Sequence, residues 1–275
     1  MIRHEQIGKQ LLHTAFVVFA CLGFSLGAEK PAASDTDKLP ALLHRTGEVL
    51  SEYVERFSDV RCSEKVIQQK FRNNGSEKVD LKEESSYDYL VILSNNGGEL
   101  SLSESRLAVH EAKADKKNRS MLVSNGFATL FLVFHPLYAN SFEFSNAGEE
   151  IVDGHRLTKI SFQHIHGTRS PAALALRGRE YPLELSGTAW IDVETSAITR
   201  ISAGVGNTMA DVGLNTLQTD VVFAPFPFKD LDKTYWFPQR AVVEVETPRQ
   251  HWRNTHEFTN YKRFSVSTEE QVATK

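Results

Sequence analysis

From Asp59 onward, apolar side chains recur at every second position, and short turn signals break the runs at hairpin spacing. A period of two sends alternate residues to opposite faces of a strand, so most of the chain is committed to β-structure. Tyr87, Tyr89, Val91 and Leu93 share one face of a strand that ends at Asn95-Asn96-Gly97-Gly98, and Leu100 and Leu102 open the return. Ile160 with Phe162 repeats the pattern, as do Ala189, Ile191 and Val193, and then Leu217, Val221 and Phe223. Tyr235 through Val245 and Trp252 through Phe264 complete it. Asp153-Gly154, Ser186-Gly187 and Thr247-Pro248 read as punctuation. The spacing predicts about nine to eleven strands in an antiparallel meander, which strand twist curls.

Two segments depart from that period. Leu39, Leu42, Leu43, Leu50, Tyr53, Val54 and Phe57 form one helical stripe, with Asp37 as its cap and Pro40 in its first turn. Phe127, Ala128, Leu130, Phe131, Leu132, Val133 and Phe134 follow Ser124-Asn125-Gly126 and are closed by His135-Pro136. A capping Ser and a closing Pro favour a helix there, while a central strand also fits. The run is too short to span a bilayer and is apolar on nearly every side, so it must be surrounded. The expected fold is mainly β (α+β), a curved antiparallel half-barrel with helices covering its concave face. The space between sheet and helix suits an acyl chain. Phe127, Leu130, Phe131 and Phe134 line one wall, and Trp190 or its neighbours line the other.

Residues 1–27 read as an export signal: Arg3 and Lys9, an apolar run from Ala15 to Leu26, and small Ser25 and Gly27 before a cut near Gly27. The alternative is a lipoprotein signal that anchors the chain through Cys21. Either way the expected compartment is the periplasm, and without a free Cys21 the remaining thiol, Cys62, is expected to be buried between Val60 and Val66. Residues 28–38 read as a flexible leader, 39–268 as a single domain and 269–275 as a tail. A formal net charge of −4 gives no basic face for nucleic acid, and a mean hydropathy of −0.32 excludes a polytopic membrane protein.

Signatures of chemistry are sparse. G-x-S-x-G, H-E-x-x-H and P-loop motifs do not occur, and Gly204-Val205-Gly206 lacks the third glycine of a dinucleotide fingerprint. No catalytic residue and no cofactor is expected. His164 and His166, two apart on a strand, are a weak metal candidate that needs a third ligand from a neighbouring strand. Residues 167–182 are long for a hairpin loop and set Arg169, Arg177 and Arg179 around Ala172–Leu176. That mixture reads as a lid meeting an anionic headgroup with arginines and an acyl chain with leucines, or as an exposed insertion.

The run Gly187-Thr188-Ala189-Trp190-Ile191-Asp192, continuing through Thr195 and Ile198 to Arg200, resembles a hairpin of the LolA-like periplasmic proteins. Those comprise lipoprotein carriers, RseB-type stress sensors and outer-membrane lipoprotein-sorting proteins. Tyr235-Trp236-Phe237-Pro238 into Val242–Glu246, then Thr255 to Phe264, is similar to that family's closing strands. The resemblance implies an unclosed, strongly curved sheet with helices over its concave face, between which lipoprotein acyl chains enter. It brings no catalytic motif. The expected function is periplasmic, carrier-like binding of lipids or lipoproteins, with acyl chains or lipidated proteins as partners. The alternative is a sensory or protein-interaction module with a packed core, facing a membrane-associated protein. An exported metal-dependent or hydrolytic enzyme stands third.

Overall fold

The computed structural model describes residues 35–57, 60–72, 78–96, 99–109, 127–176, 179–205, 209, 213–228 and 234–263. The expected signal segment and the tail lie outside these residues. Helix α1 runs Asp35–Phe57 and is followed by β1 (Val60–Phe71), β2 (Val79–Asn96) and β3 (Glu99–Ala108). A 3-10 segment, Phe127–Phe134, leads into the short helix α2 (Pro136–Ala139). Next come β4 (Phe142–Val152), β5 (His155–His164), β6 (Ala173–Leu176), β7 (Arg179–Pro182), β8 (Leu185–Asp192) and β9 (Ile198–Val205). Strands β10 (Thr216–Pro227), β11 (Thr234–Thr247) and β12 (Gln250–Arg263) close the chain.

Ten strands form one antiparallel sheet in the order β3-β2-β1-β12-β11-β10-β9-β8-β5-β4, and β6 and β7 form a separate hairpin. The order is a meander with two non-consecutive neighbours: β5 pairs with β8 across the inserted β6–β7 hairpin, and the first strand pairs with the last, Val66 opposite His256. Among the described residues the sheet does not close into a barrel, and β3 and β4 are its two edges. This is the curved half-barrel that the period of two predicts. One apolar cluster fills its concave side, where Ile160, Ala189, Ile191, Ile201, Val221 and Ala241 are all fully buried.

Several local expectations need correction. Helix α1 starts at Asp35, so Asp37 lies inside it rather than capping it, and Pro40 falls in the second turn. The apolar 127–134 run is helical, as its flanking Ser and closing Pro favour, but in 3-10 rather than α form. Residues 167–182 are not one open loop, since Ala173–Leu176 pairs with Arg179–Pro182. Ser186-Gly187 is strand, not turn. A Cβ on Gly187 would stand 2.1 Å from the Ser202 carbonyl oxygen and 2.9 Å from the Phe162 ring, so this glycine serves close strand approach. Asp153-Gly154 does turn the β4–β5 hairpin, with φ of 50° and 84° as a primed turn demands.

The β8–β9 turn shows what the Asp of the 187–200 run does. Asp192 is 1% exposed; its Oδ1 accepts from the Glu194 and Thr195 backbone N–H groups at 2.9 and 2.8 Å and from Thr195 Oγ1 at 3.0 Å. Its Oδ2 meets His155 Nδ1 at 2.9 Å. Burial alone would raise this carboxyl, but the bonds from Thr195, His155 and Glu194 outweigh it and hold it below its ordinary value. Asp192→Ala strips the turn of its acceptor and is expected to cost about 2 kcal/mol, a fall in Tm of roughly 4–8 °C by calorimetry.

Candidate functional site

The 3-10 segment and α2 roof the concave face together with α1. Leu130, Phe131, Leu132, Val133 and Phe134 are each at most 5% exposed, so the run is surrounded as its composition requires. The segment touches α1 on one side and β9, β10 and β11 on the other. Tyr53 of α1 meets the Phe131 ring edge-on at 5.0 Å and Phe237 of the sheet at 5.3 Å. Phe134 lies 5.1 Å from Phe144 and 5.7 Å from Phe162. The candidate wall residues Leu130, Phe131 and Phe134 therefore come together on the sheet, while the Phe127 side chain lies outside the described residues.

Polar anchors hold this roof at its ends. His135 caps α2, its Nδ1 accepting from the Leu137 N–H at 3.3 Å; burial lowers the imidazole's pKa, which favours the neutral acceptor form. The Tyr138 hydroxyl donates to the Leu100 carbonyl at 2.8 Å, a buried bond to edge strand β3. Arg45 Nε donates to Ser196 Oγ at 3.2 Å, and the Tyr235 hydroxyl donates to Glu52 at 3.1 Å, so α1 is tied to both the β8–β9 turn and β11.

Trp190 does not belong to this wall. Ala189 and Ile191 face the core at 0% exposure, so the residue between them points to the outer face. There its Nε1 donates to Glu150 at 3.1 Å and the Arg200 guanidinium lies 4.7 Å from the ring centroid. Glu150 also pairs with Lys159, and Arg200 pairs with Asp220, which makes a polar ladder across five strands. Its neighbours Ala189 and Ile191 are the residues of this strand that face the roof side of the sheet.

His164 and His166 separate because β5 ends at His164 and His166 lies in the following turn. His164 is buried against Phe142, its Nε2 donating to the Arg169 carbonyl at 3.1 Å, while exposed His166 pairs with Glu184. Among the described residues no group of three or more His, Cys, Asp or Glu could hold a metal ion. Arg169 is exposed, whereas Arg177 and the Arg179 side chain lie outside the described residues.

The structure also assembles a site that the sequence reading passed over. In β1 the core-facing residues are Val60, Cys62, Glu64 and Val66, so a carboxylate occupies an apolar position. The Glu64 side chain has 0% exposure and sits between His256 Nδ1 at 2.7 Å and Arg106, whose Nε and Nη2 donate at 2.6 and 3.0 Å. Arg106 Nη2 also donates to Glu104 at 2.9 Å, and the guanidinium lies 5.1 Å from the Tyr89 ring centroid. Burial pushes Glu64 up, but the bonds from His256 and Arg106 outweigh it and hold the carboxyl below its ordinary value. Cys62 is 3% exposed, as expected, and burial raises its thiol to about 12, which leaves no thiolate for nucleophilic chemistry. The signal that could have found this site is the phase of Glu64 with Cys62 and Val66.

No protein-family model and no curated protein matches the chain. Among solved structures it is similar to a DUF1329 family protein from Desulfovibrio piger, at 10% identity, 86% of this chain, 95% of that one and a TM-score of 0.42. A LolA superfamily protein from Nitrosomonas europaea gives 11%, 86%, 97% and 0.35. A domain described as an outer membrane lipoprotein-sorting protein, from Vibrio parahaemolyticus, gives 10%, 83%, 95% and 0.39. No helix among the described residues is long and apolar enough to cross a membrane.

Proposed function

We propose that this chain is a non-catalytic, exported binding protein that holds the acyl chains of a lipid or lipidated protein between its curved sheet and its apolar roof. Export is by residues 1–27, with a cut near Gly27 or an anchor at Cys21. The observation that carries the reading is the roof itself: a 3-10 segment whose five described side chains are buried on the concave sheet face. Hydrogen bonds of 3-10 geometry are poorer than those of an α-helix, so the apolar contact holds the segment down. An acyl chain offers the sheet the same contact; about ten buried methylenes give roughly 8 kcal/mol before ordering costs. In chain order the roof joins edge strand β3 to edge strand β4, and Tyr138, just before β4, reaches back to β3 through Leu100. The roof is thus a strap across the open side of the half-barrel, able to lift at the cost of the Tyr138–Leu100 bond, its apolar contacts and whatever else ties it down.

A second reading, a protein-interaction module with the same fold, is favoured by the ring packing on Phe131 and Phe134, which treats the roof as permanent core. Lipid mass spectrometry of the protein purified from a bacterial envelope, with displacement of a fluorescent fatty acid, separates the two. Co-purified acyl lipid and displaceable probe are expected; absence of both would leave the interaction module. Tyr138→Phe is expected to reduce hydrogen-exchange protection over 127–139 by about five- to thirtyfold and to speed probe entry. Unchanged exchange in that variant would mean the strap is not held by this bond.

A further inference from the structure

The Glu64 cluster lies on the same concave face as the roof and contains a polar group that nothing among the described residues satisfies. Tyr89 is 2% exposed, and its hydroxyl is buried with no hydrogen-bond partner among the described residues. Burial, reinforced by the charge of Glu104, raises this phenol well above its ordinary value, so it remains a donor across the physiological range. Phe258 packs 5.2 Å from the Tyr89 ring, and the Arg106 guanidinium covers it at 5.1 Å, which fixes the direction of the hydroxyl. The Arg106 side chain, 16% exposed, is the part of the cluster nearest to solvent; Glu64, Glu104 and His256 side chains are at most 2% exposed.

We propose that Tyr89 is the subsite for the polar end of the acyl ligand, and that it takes an uncharged ester carbonyl in preference to a free carboxylate. This rests on the acyl-binding reading above and adds to it the chemistry of the ligand's head. Two features select the ester. A lone buried O–H calls for an acceptor oxygen, which a carbonyl supplies. Two buried carboxylates, Glu64 and Glu104, already share Arg106, and His256 serves Glu64, so a fatty-acid carboxylate would enter beside like charge. Arg106 acts as a positioning residue, since its described donors are spent on Glu64 and Glu104 and its cation holds the Tyr89 ring. Arg169, Arg177 and Arg179, the headgroup candidates of the 167–182 segment, suit an anion; Tyr89 instead suits a neutral head.

The full chain, stripped of bound lipid, is loaded with a fluorescent acyl probe and titrated with a monoacylglycerol, a fatty acid of equal chain length and the corresponding n-alkane. A synthetic diacyl lipopeptide, run in parallel, shows whether a glyceride or a lipidated protein presents the ester better. Wild type is expected to favour the monoacylglycerol over the fatty acid by at least about fivefold. Tyr89→Phe, which removes only an oxygen with no partner among the described residues, is expected to weaken the ester by about five- to tenfold and leave the alkane unchanged. Equal ester affinity in the variant, or a fatty acid that outcompetes the ester on wild type, overturns the subsite while the acyl reading stands. A wild-type protein that takes up no probe or alkane overturns both. The wild-type ranking needs no variant, so the result does not depend on how Tyr89→Phe folds.

Discussion

Arg106→Met is expected to lower the unfolding free energy by about 3–5 kcal/mol, because it strands Glu64 and Glu104 as buried carboxylates with no guanidinium between them. Domains of this kind hold about 5–15 kcal/mol in all, so a urea titration would show the midpoint fall by a large fraction. A triple replacement, Glu64→Leu and Glu104→Leu with Arg106→Met, is expected to recover much of the loss, since it leaves no buried carboxylate to desolvate. If the single variant loses under about 1 kcal/mol, the cluster is solvated rather than buried. The acid limb follows from Glu64. Its carboxyl is held below the ordinary value of 4.5, so its stabilisation is complete above that value and is lost as pH falls through the lower folded-state value. The stability gap between wild type and Glu64→Gln is therefore expected to be full at neutral pH and to close in acid. A gap that widens in acid would reverse the assignment.

Phe131→Ala is the second large effect. Phe131 is 1% exposed, with Tyr53 edge-on at 5.0 Å and the sheet beneath, so the lost ring leaves a hole with little freedom to collapse. A cost of about 3–5 kcal/mol is expected in denaturant titration. The two functional readings part on what fills the hole. If the roof and an acyl chain compete for the concave face, the variant gains capacity for a fluorescent fatty acid while losing stability. If the roof is permanent core, stability falls and uptake stays where it was. A variant as stable as wild type would place Phe131 outside the core.

The elements legible in the sequence were those whose own side-chain period carries the information. Ile160 with Phe162 declared a strand because polar Ser161 and Gln163 alternate with them, and the Leu42–Val54 stripe declared a helix because its spacing is three and four. The 127–134 run was legible as buried, since no face of it is polar, but a run without a polar face has no period. Its 3-10 form is set by the sheet, α1 and the His135 cap around it. Trp190 shows the same limit from the other side. Alternation places it opposite Ala189 and Ile191, yet which face meets the roof is a property of the folded sheet.

What the sequence determined by itself is a meander of curved strands, one amphipathic helix and one segment that must be covered, because hydrophobic periodicity is a local property of neighbouring residues. What only the tertiary structure decided is the company kept by Glu64. Arg106 lies 42 residues away and His256 lies 192 residues away, joined to Glu64 by the pairing of β1 with β12 and by the β2–β3 hairpin. A buried charge is stable only where its partners converge, and that convergence is created by strand order, which no local pattern encodes.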